Sequence, residues 1–428
     1  MFVNLSINKY IKAINLYKSR FLFILLVVIV IFCDPRVILR TFFGEWFGLI
    51  AGVVACLLLL LSFYVLVYRS RLNLFGKILL CYGIYSSGRM IYAGMDWRWQ
   101  IASVIAFILG TVAIVKYNDR NFHISVLIAL TLAMLLHAWA IFFPPAFVIH
   151  GINTETGFWV TQDDQLGIFF GRHTGFTAAP GYLSLLASVG FAMGIQLLII
   201  EKKWPWCLLV GASLLCGFAS GNRSFLVAII ISIATTIILI GFRRNIKEIR
   251  ILFALILAVI MISYFLWTQT IYGEYMYSRL IEDVFVEDIN TRIYNSEFGN
   301  ADIGYSILQA PVFGSLELIP GTTSAAVYSG TNWFQPHNSI VWIIGSRGVV
   351  AGSLFLGLSL LALVNLYRRD ILHRRFPHRH NGLPSSVFIV GFIAGQIVGL
   401  FDPMLETGLM LFLLGTGLGS SPMNSKHA

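Results

Sequence analysis

Apolar runs of roughly 18 or more residues, each long enough to cross about 30 Å of hydrocarbon, recur from residue 21 to the C-terminus between short polar stretches. Their spacing predicts twelve spans, at about 21–38, 47–68, 72–93, 100–115, 122–143, 178–200, 204–220, 224–242, 250–268, 337–366, 385–401 and 404–420. That is the pattern of an all-α polytopic membrane protein, with 1–428 forming a single transmembrane domain. Two intervals, 144–177 and 269–336, are far longer than the usual loop of about 4–6 residues. The second carries apolar residues at helical spacing around Tyr277, Leu280, Ile281 and Val284, and again around Ile303, Ser306, Ile307 and Ala310 before Pro311. It predicts short helices lying over one membrane face. Neither an internal repeat nor a low-complexity tract interrupts the pattern.

Composition narrows the class. Hydrophobic residues make up 57% of the chain and charged residues 12%, against roughly 25% charge in a soluble domain, which excludes a soluble globular enzyme. The first run follows a basic stretch with no small-residue cleavage pattern behind it, so the N-terminus is expected to stay attached. Cys33, Cys56, Cys81, Cys207 and Cys216 fall in or beside apolar runs, which suggests neither a disulfide frame nor a thiolate metal site. Charge then sets the orientation. With the N-terminus in the cytoplasm, 21 of the 30 Lys and Arg residues gather on that side, joined only by Asp119, Glu201, Glu248 and Asp370 among the 20 acids. The positive-inside rule therefore puts both termini in the cytoplasm and both long intervals outside. The net charge of +10 reads as cytoplasmic loops facing anionic membrane lipids, with no nucleic-acid partner implied.

Nine cations remain on the outer side or within the membrane: Arg36, Arg40, Arg89, Arg98, Arg172, Arg223, Arg279, Arg292 and Arg347. All are arginine, whose planar fork suits bidentate binding of phosphate or carboxylate, so an anionic ligand is expected there. Arg36 and Arg40, beside Asp34 and Glu45, read as interfacial anchors. Arg172 stands in a glycine-punctuated approach to a span, Arg223 in a tight turn between two spans, and Arg279 and Arg292 among the acids of the long outer interval. His337 lies in Gln335-Pro336-His337-Asn338-Ser339, at the opening of an apolar run, where an imidazole can act as a general base near neutral pH. Other polar groups carry less. His373, His378 and His380 sit among cytoplasmic arginines, Asp163-Asp164 has no third ligand at metal spacing, and no glycine-rich nucleotide loop is present. Asp402 and Glu406 are the only acids placed for a transport relay.

Four elements in order resemble the O-antigen ligase family over roughly residues 170 to 360. They are the Arg172-to-Pro180 segment, the Ser220-to-Arg223 turn, Arg292 followed by Pro311-Val312-Phe313-Gly314, and His337-Asn338 opening a span. The resemblance implies a glycosyltransferase C-like membrane architecture with about twelve transmembrane helices. It also implies an inverting transfer of O-antigen polysaccharide from undecaprenyl diphosphate to a lipid A-core hydroxyl, on the periplasmic face of a bacterial inner membrane. Carried onto this chain, His337 would be the catalytic base. Arg172, Arg223, Arg279 and Arg292 would hold the diphosphate, Asn338 and Gln335 would support the base, and no metal or other cofactor would be needed. O-antigen polymerases and protein O-oligosaccharyltransferases share the donor class and the look. A flippase or transporter is the rival of another kind. Where relatives often carry an acid, this chain has Gly345-Ser346-Arg347-Gly348, which leaves Arg347 without an implied role.

Overall fold

The computed structural model describes residues 20–33, 38, 53, 57, 72–92, 97–143, 160–162, 169–171, 173–177, 180–241, 250, 253, 257, 261, 312–314, 339–375, 383–401 and 405–419. After a π-helical stretch, Val27–Phe32, the described helices are α1 (Leu74–Tyr92), α2 (Trp97–Val115), α3 (Arg120–Phe142), α4 (Pro180–Glu201) and α5 (Pro205–Ala219). They continue with α6 (Arg223–Gly241), α7 (Ser339–Arg347), α8 (Val349–Arg375), α9 (Ser385–Gly399) and α10 (Gly408–Gly419).

Local chemistry sets the helix ends. The Asp119 side chain accepts from the N–H groups of Asn121 at 3.0 Å and Phe122 at 3.2 Å, so α3 starts one residue later. Pro205 occupies the first position of α5, where its missing N–H removes nothing. At α9 the cap comes from another helix, with Asp370 Oδ1 of α8 accepting from the Ser386 N–H at 3.2 Å. Four described helices are long and apolar enough to cross a membrane: Arg120–Phe142, Pro180–Glu201, Arg223–Ile240 and Val349–His373. Shorter apolar helices, among them Pro205–Ala219, Ser385–Gly399 and Gly408–Gly419, pack between and beside them.

The bundle has a hub. The apolar stretch of α4 is 89% buried, against 33–56% for the other three long helices, because α3, α5, α6 and α9 all pack against it. A second group forms around α10, which lies between α2 and α8. Lipid tails are as apolar as leucine, so helices in a membrane associate through close packing and polar contacts. Accordingly the α2–α10 seam is lined by small residues, and a Cβ on Gly415 would come 2.0 Å from the carbonyl oxygen of Gly110.

Three expectations need amendment. The single span expected at 337–366 is broken at Gly348, whose φ of 86° turns the chain between α7 and α8. The first long interval, expected only as a long outer loop, holds an antiparallel pairing of Val160–Gln162 with Phe169–Gly171, Val160 opposite Gly171. The span expected at 21–38 contains the π-helical stretch. The spans at 47–68 and 250–268 fall almost entirely outside the described residues, as do the short helices expected within 269–336, where only 312–314 is described. The chain is thus a mostly helical, apolar bundle of membrane-protein character. The end that carries residues 173–177 and 220–223 is called the outer end below, after the orientation expected from charge.

Candidate functional site

The first station at the outer end is the turn between α5 and α6. Gly221 has a φ of 58°, which lets Ser220-Gly221-Asn222 reverse the chain in three residues. Asn222 caps α6, its Oδ1 accepting from the Ser224 N–H at 3.2 Å and the Ser224 hydroxyl at 2.9 Å. With that proton used, Ser224 Oγ accepts from the hydroxyl of Ser184, 3.3 Å away on α4. Arg223 is therefore the first residue of α6 and is half-buried. Cationic side chain and helix N-terminus together make this end of α6 favourable to negative charge.

The segment 173–177 docks on that turn. The N–H of His173 donates to the carbonyl of Ala219 at 2.9 Å, and Thr177 closes a small turn onto the carbonyl of Thr174 through its N–H at 3.0 Å and its hydroxyl at 2.7 Å. His137 of α3 pins the segment from below. Its Nδ1 accepts from the Phe176 N–H at 3.0 Å, so the ring proton sits on Nε2 and donates to the Phe32 carbonyl at 2.9 Å. Tyr182 donates its hydroxyl to the neighbouring Ile31 carbonyl, so side chains from α3 and α4 together satisfy the end of the π-helical stretch. Phe176 stacks on Trp139 with ring planes 4° apart. Residues from both sides of the first long interval are thus fixed relative to the turn that presents Arg223.

A second station lies where α7 ends. Arg347 is fully buried. Its Nη2 donates to Glu406 Oε2 at 2.8 Å, its Nε to Ser86 Oγ at 2.8 Å and its Nη1 to Ser346 Oγ at 3.4 Å, with the guanidinium carbon 4.8 Å from the Trp342 ring centroid. Glu406 Oε1 accepts from Tyr82 at 2.5 Å and Ser86 at 3.3 Å. Tyr82, Tyr85, Ser86 and Arg89 lie on one face of α1 at helical spacing. Further along that face, Tyr85 donates toward the Arg347 carbonyl at 2.9 Å and the Phe313 carbonyl at 3.2 Å, and Arg89 donates to the Gly314 carbonyl at 2.8 Å. The Val312-Phe313-Gly314 segment is therefore seated on the α7–α8 corner, so closely that a Cβ on Gly348 would lie 2.0 Å from the Val312 carbonyl oxygen.

Of the site residues expected from sequence, Arg223 is described and stands at the first station. Arg172, Arg279, Arg292, Gln335, His337 and Asn338 lie outside the described residues, although 173–177 and Ser339 beside them are placed. Asp163, Asp164 and Asp402 also lie outside. Sequence reasoning overlooked His137, whose signal was a lone polar side chain inside an apolar span. It also left Arg347 and Glu406 without partners. No protein-family model matches the chain, and no curated protein matches it.

Proposed function

We propose that the chain is an inverting glycosyltransferase of the O-antigen ligase kind, moving O-antigen polysaccharide from undecaprenyl diphosphate to a lipid A-core hydroxyl on the periplasmic face of a bacterial inner membrane. The observation that supports it most is the junction of 173–177 with the Ser220-to-Arg223 turn through the His173-to-Ala219 hydrogen bond. Two of the four family-like elements, separated along the chain by the whole of α4 and α5, meet at one end of the bundle.

On this reading Arg172, Arg223, Arg279 and Arg292 neutralise the diphosphate of the donor at headgroup level. His337 takes the proton of the acceptor hydroxyl while its oxygen forms a bond to the anomeric carbon from the face opposite the diphosphate. The anomeric C–O bond breaks, its electron pair leaves with the diphosphate, and the arginines stabilise the growing negative charge. One displacement inverts the anomeric centre with no covalent enzyme intermediate. Asn338 and Gln335 support the imidazole.

A transporter is less well supported, because Glu406 is held by Arg347, Tyr82 and Ser86 and so is poorly suited to relay protons. Polymerase and protein O-oligosaccharyltransferase activities differ in the acceptor, and the test is built on that. Purified protein is given an undecaprenyl-diphosphate glycan with lipid A-core, a second lipid-linked glycan or a peptide as acceptor, and the products are separated. Glycan on lipid A-core is the expected result. Lengthened lipid-linked glycan or glycopeptide would reassign the acceptor, and no product with any of them would remove the transferase reading.

A further inference from the structure

Helix α7 is gripped at both of its ends by two adjacent residues. The N–H of Leu405 donates to the hydroxyl of Ser339, the first residue of α7, at 3.3 Å. The next residue, Glu406, binds the guanidinium of Arg347, the last residue of α7, at 2.8 Å. One attachment would leave a short helix free to pivot, whereas two attachments about 13 Å apart along its axis fix its direction, and the side chains aimed at one rigid partner fix its rotation. The partner is rigid because Glu406 is itself held by Tyr82 and Ser86 of α1, and Leu405 packs against Gly399 at the end of α9. Nine residues are too few for α7 to be stable through its own hydrogen bonds. Its position is therefore set by what holds it.

We infer that Arg347 and Glu406 are positioning residues: with Leu405 and Ser339 they form a two-point clamp that sets the depth and rotation of α7, the helix that follows the proposed base His337 in the sequence. The inference rests on the proposed transferase reading for its catalytic consequence, while the clamp is a property of α7 alone. Arg347 does no chemistry on this account. Its guanidinium is closed inside protein and does not belong to the set that meets the diphosphate. The clamp acts by geometry, and a displacement of about 1 Å at a reacting group is enough to lower a rate by about 10²-fold.

The experiment compares the parental protein with Arg347→Met/Glu406→Leu, which removes both charges and keeps the volume, with the exchanged pair Arg347→Glu/Glu406→Arg, and with Tyr82→Phe, which removes one donor to Glu406. Each is purified in detergent and measured for thermal unfolding, for amide hydrogen exchange in 339–347, and for transfer kcat and donor KM. The Met/Leu variant is expected to unfold within a few degrees of the parental protein. Its α7 amides exchange about tenfold faster or more, and kcat falls about 10²-fold while donor KM stays within about twofold of parental. The exchanged pair recovers part of both losses, and Tyr82→Phe shows a smaller rise in exchange confined to α7. Parental exchange and parental kcat in the Met/Leu variant would overturn the clamp, and if that variant does not fold, unchanged α7 exchange in Tyr82→Phe would do so. A parental protein that transfers no glycan defeats the transferase reading instead, and the exchange arm still decides the clamp.

Discussion

Two arginines at the outer end show how differently the same side chain can be used in one apolar chain. Arg347 is fully buried, and its bonds run to Glu406, Ser86 and Ser346. Arg223 stands half-buried at the first position of α6, where the polar groups of the turn are occupied with one another: Asn222 with Ser224, Ser224 with Ser184, and Ser220 with Gly217. At one station the charge is the structural element. At the other, neutral contacts among Ser220, Asn222, Ser224 and Ser184 build the turn that presents the guanidinium. On the proposed reading, stability falls to Arg347 and anion binding to Arg223, and substitution can separate the two.

The largest effect on the functional side of that contrast should come from His337→Ala, with a fall of about 10² to 10⁴ in transfer rate while membrane insertion and donor binding persist. Transfer near the parental rate would send the search for a base elsewhere. On the structural side, Arg347→Met should destabilise by about 3–5 kcal/mol, since it leaves Glu406 buried without its counter-charge. Replacing both partners by apolar residues should recover most of that loss in a detergent unfolding titration.

Intermediate effects sharpen the difference between the stations. Arg223→Lys keeps the charge and loses the fork, and should lower transfer about tenfold, with Arg223→Ala lower still. Arg36→Lys and Arg40→Lys should transfer normally. If Arg223→Lys behaves like these two, the turn does not hold the diphosphate. Asn222→Ala should cost about 1 kcal/mol through the lost cap of α6, read as a lowered unfolding temperature with donor KM little changed. The smallest expected effect is that of excess EDTA, which should leave transfer intact if guanidinium groups alone meet the diphosphate. Loss restored by one divalent cation would point to Asp163 and Asp164.

The bundle was readable in the chain to the extent that hydrophobicity alone decides it. The span expected at 178–200 is Pro180–Glu201 and that at 204–220 is Pro205–Ala219, because proline and charge mark those ends chemically. The break at Gly348 is invisible to the same criterion, since apolar residues continue on both sides and only the glycine's positive φ separates two axes. The strand pairing was missed because two three-residue strands are too short to show an alternating pattern. Arg347 was visible as a cation in an apolar run, yet its partner is 59 residues away, and no local pattern connects them. Asn222 and Arg223 could be located from the Gly-Asn turn, but the docking of 173–177 on that turn depends on His137, which lies on a different helix. Position along the membrane normal is local information, while partnership across helices is not.

Helix α5 carries one more consequence, and it concerns the lipid. Its 15 residues span about 22 Å, some 8 Å short of a typical hydrocarbon core of about 30 Å, and Leu208 on it and Trp204 just before it are exposed. If α5 crosses a bilayer as the sequence pattern predicts, local thinning would meet such a mismatch and bring the headgroup region to the depth of the Ser220-to-Arg223 turn. On the proposed reading, a lipid carrier beside α5 would then meet Arg223 without its phosphates having to leave the interface.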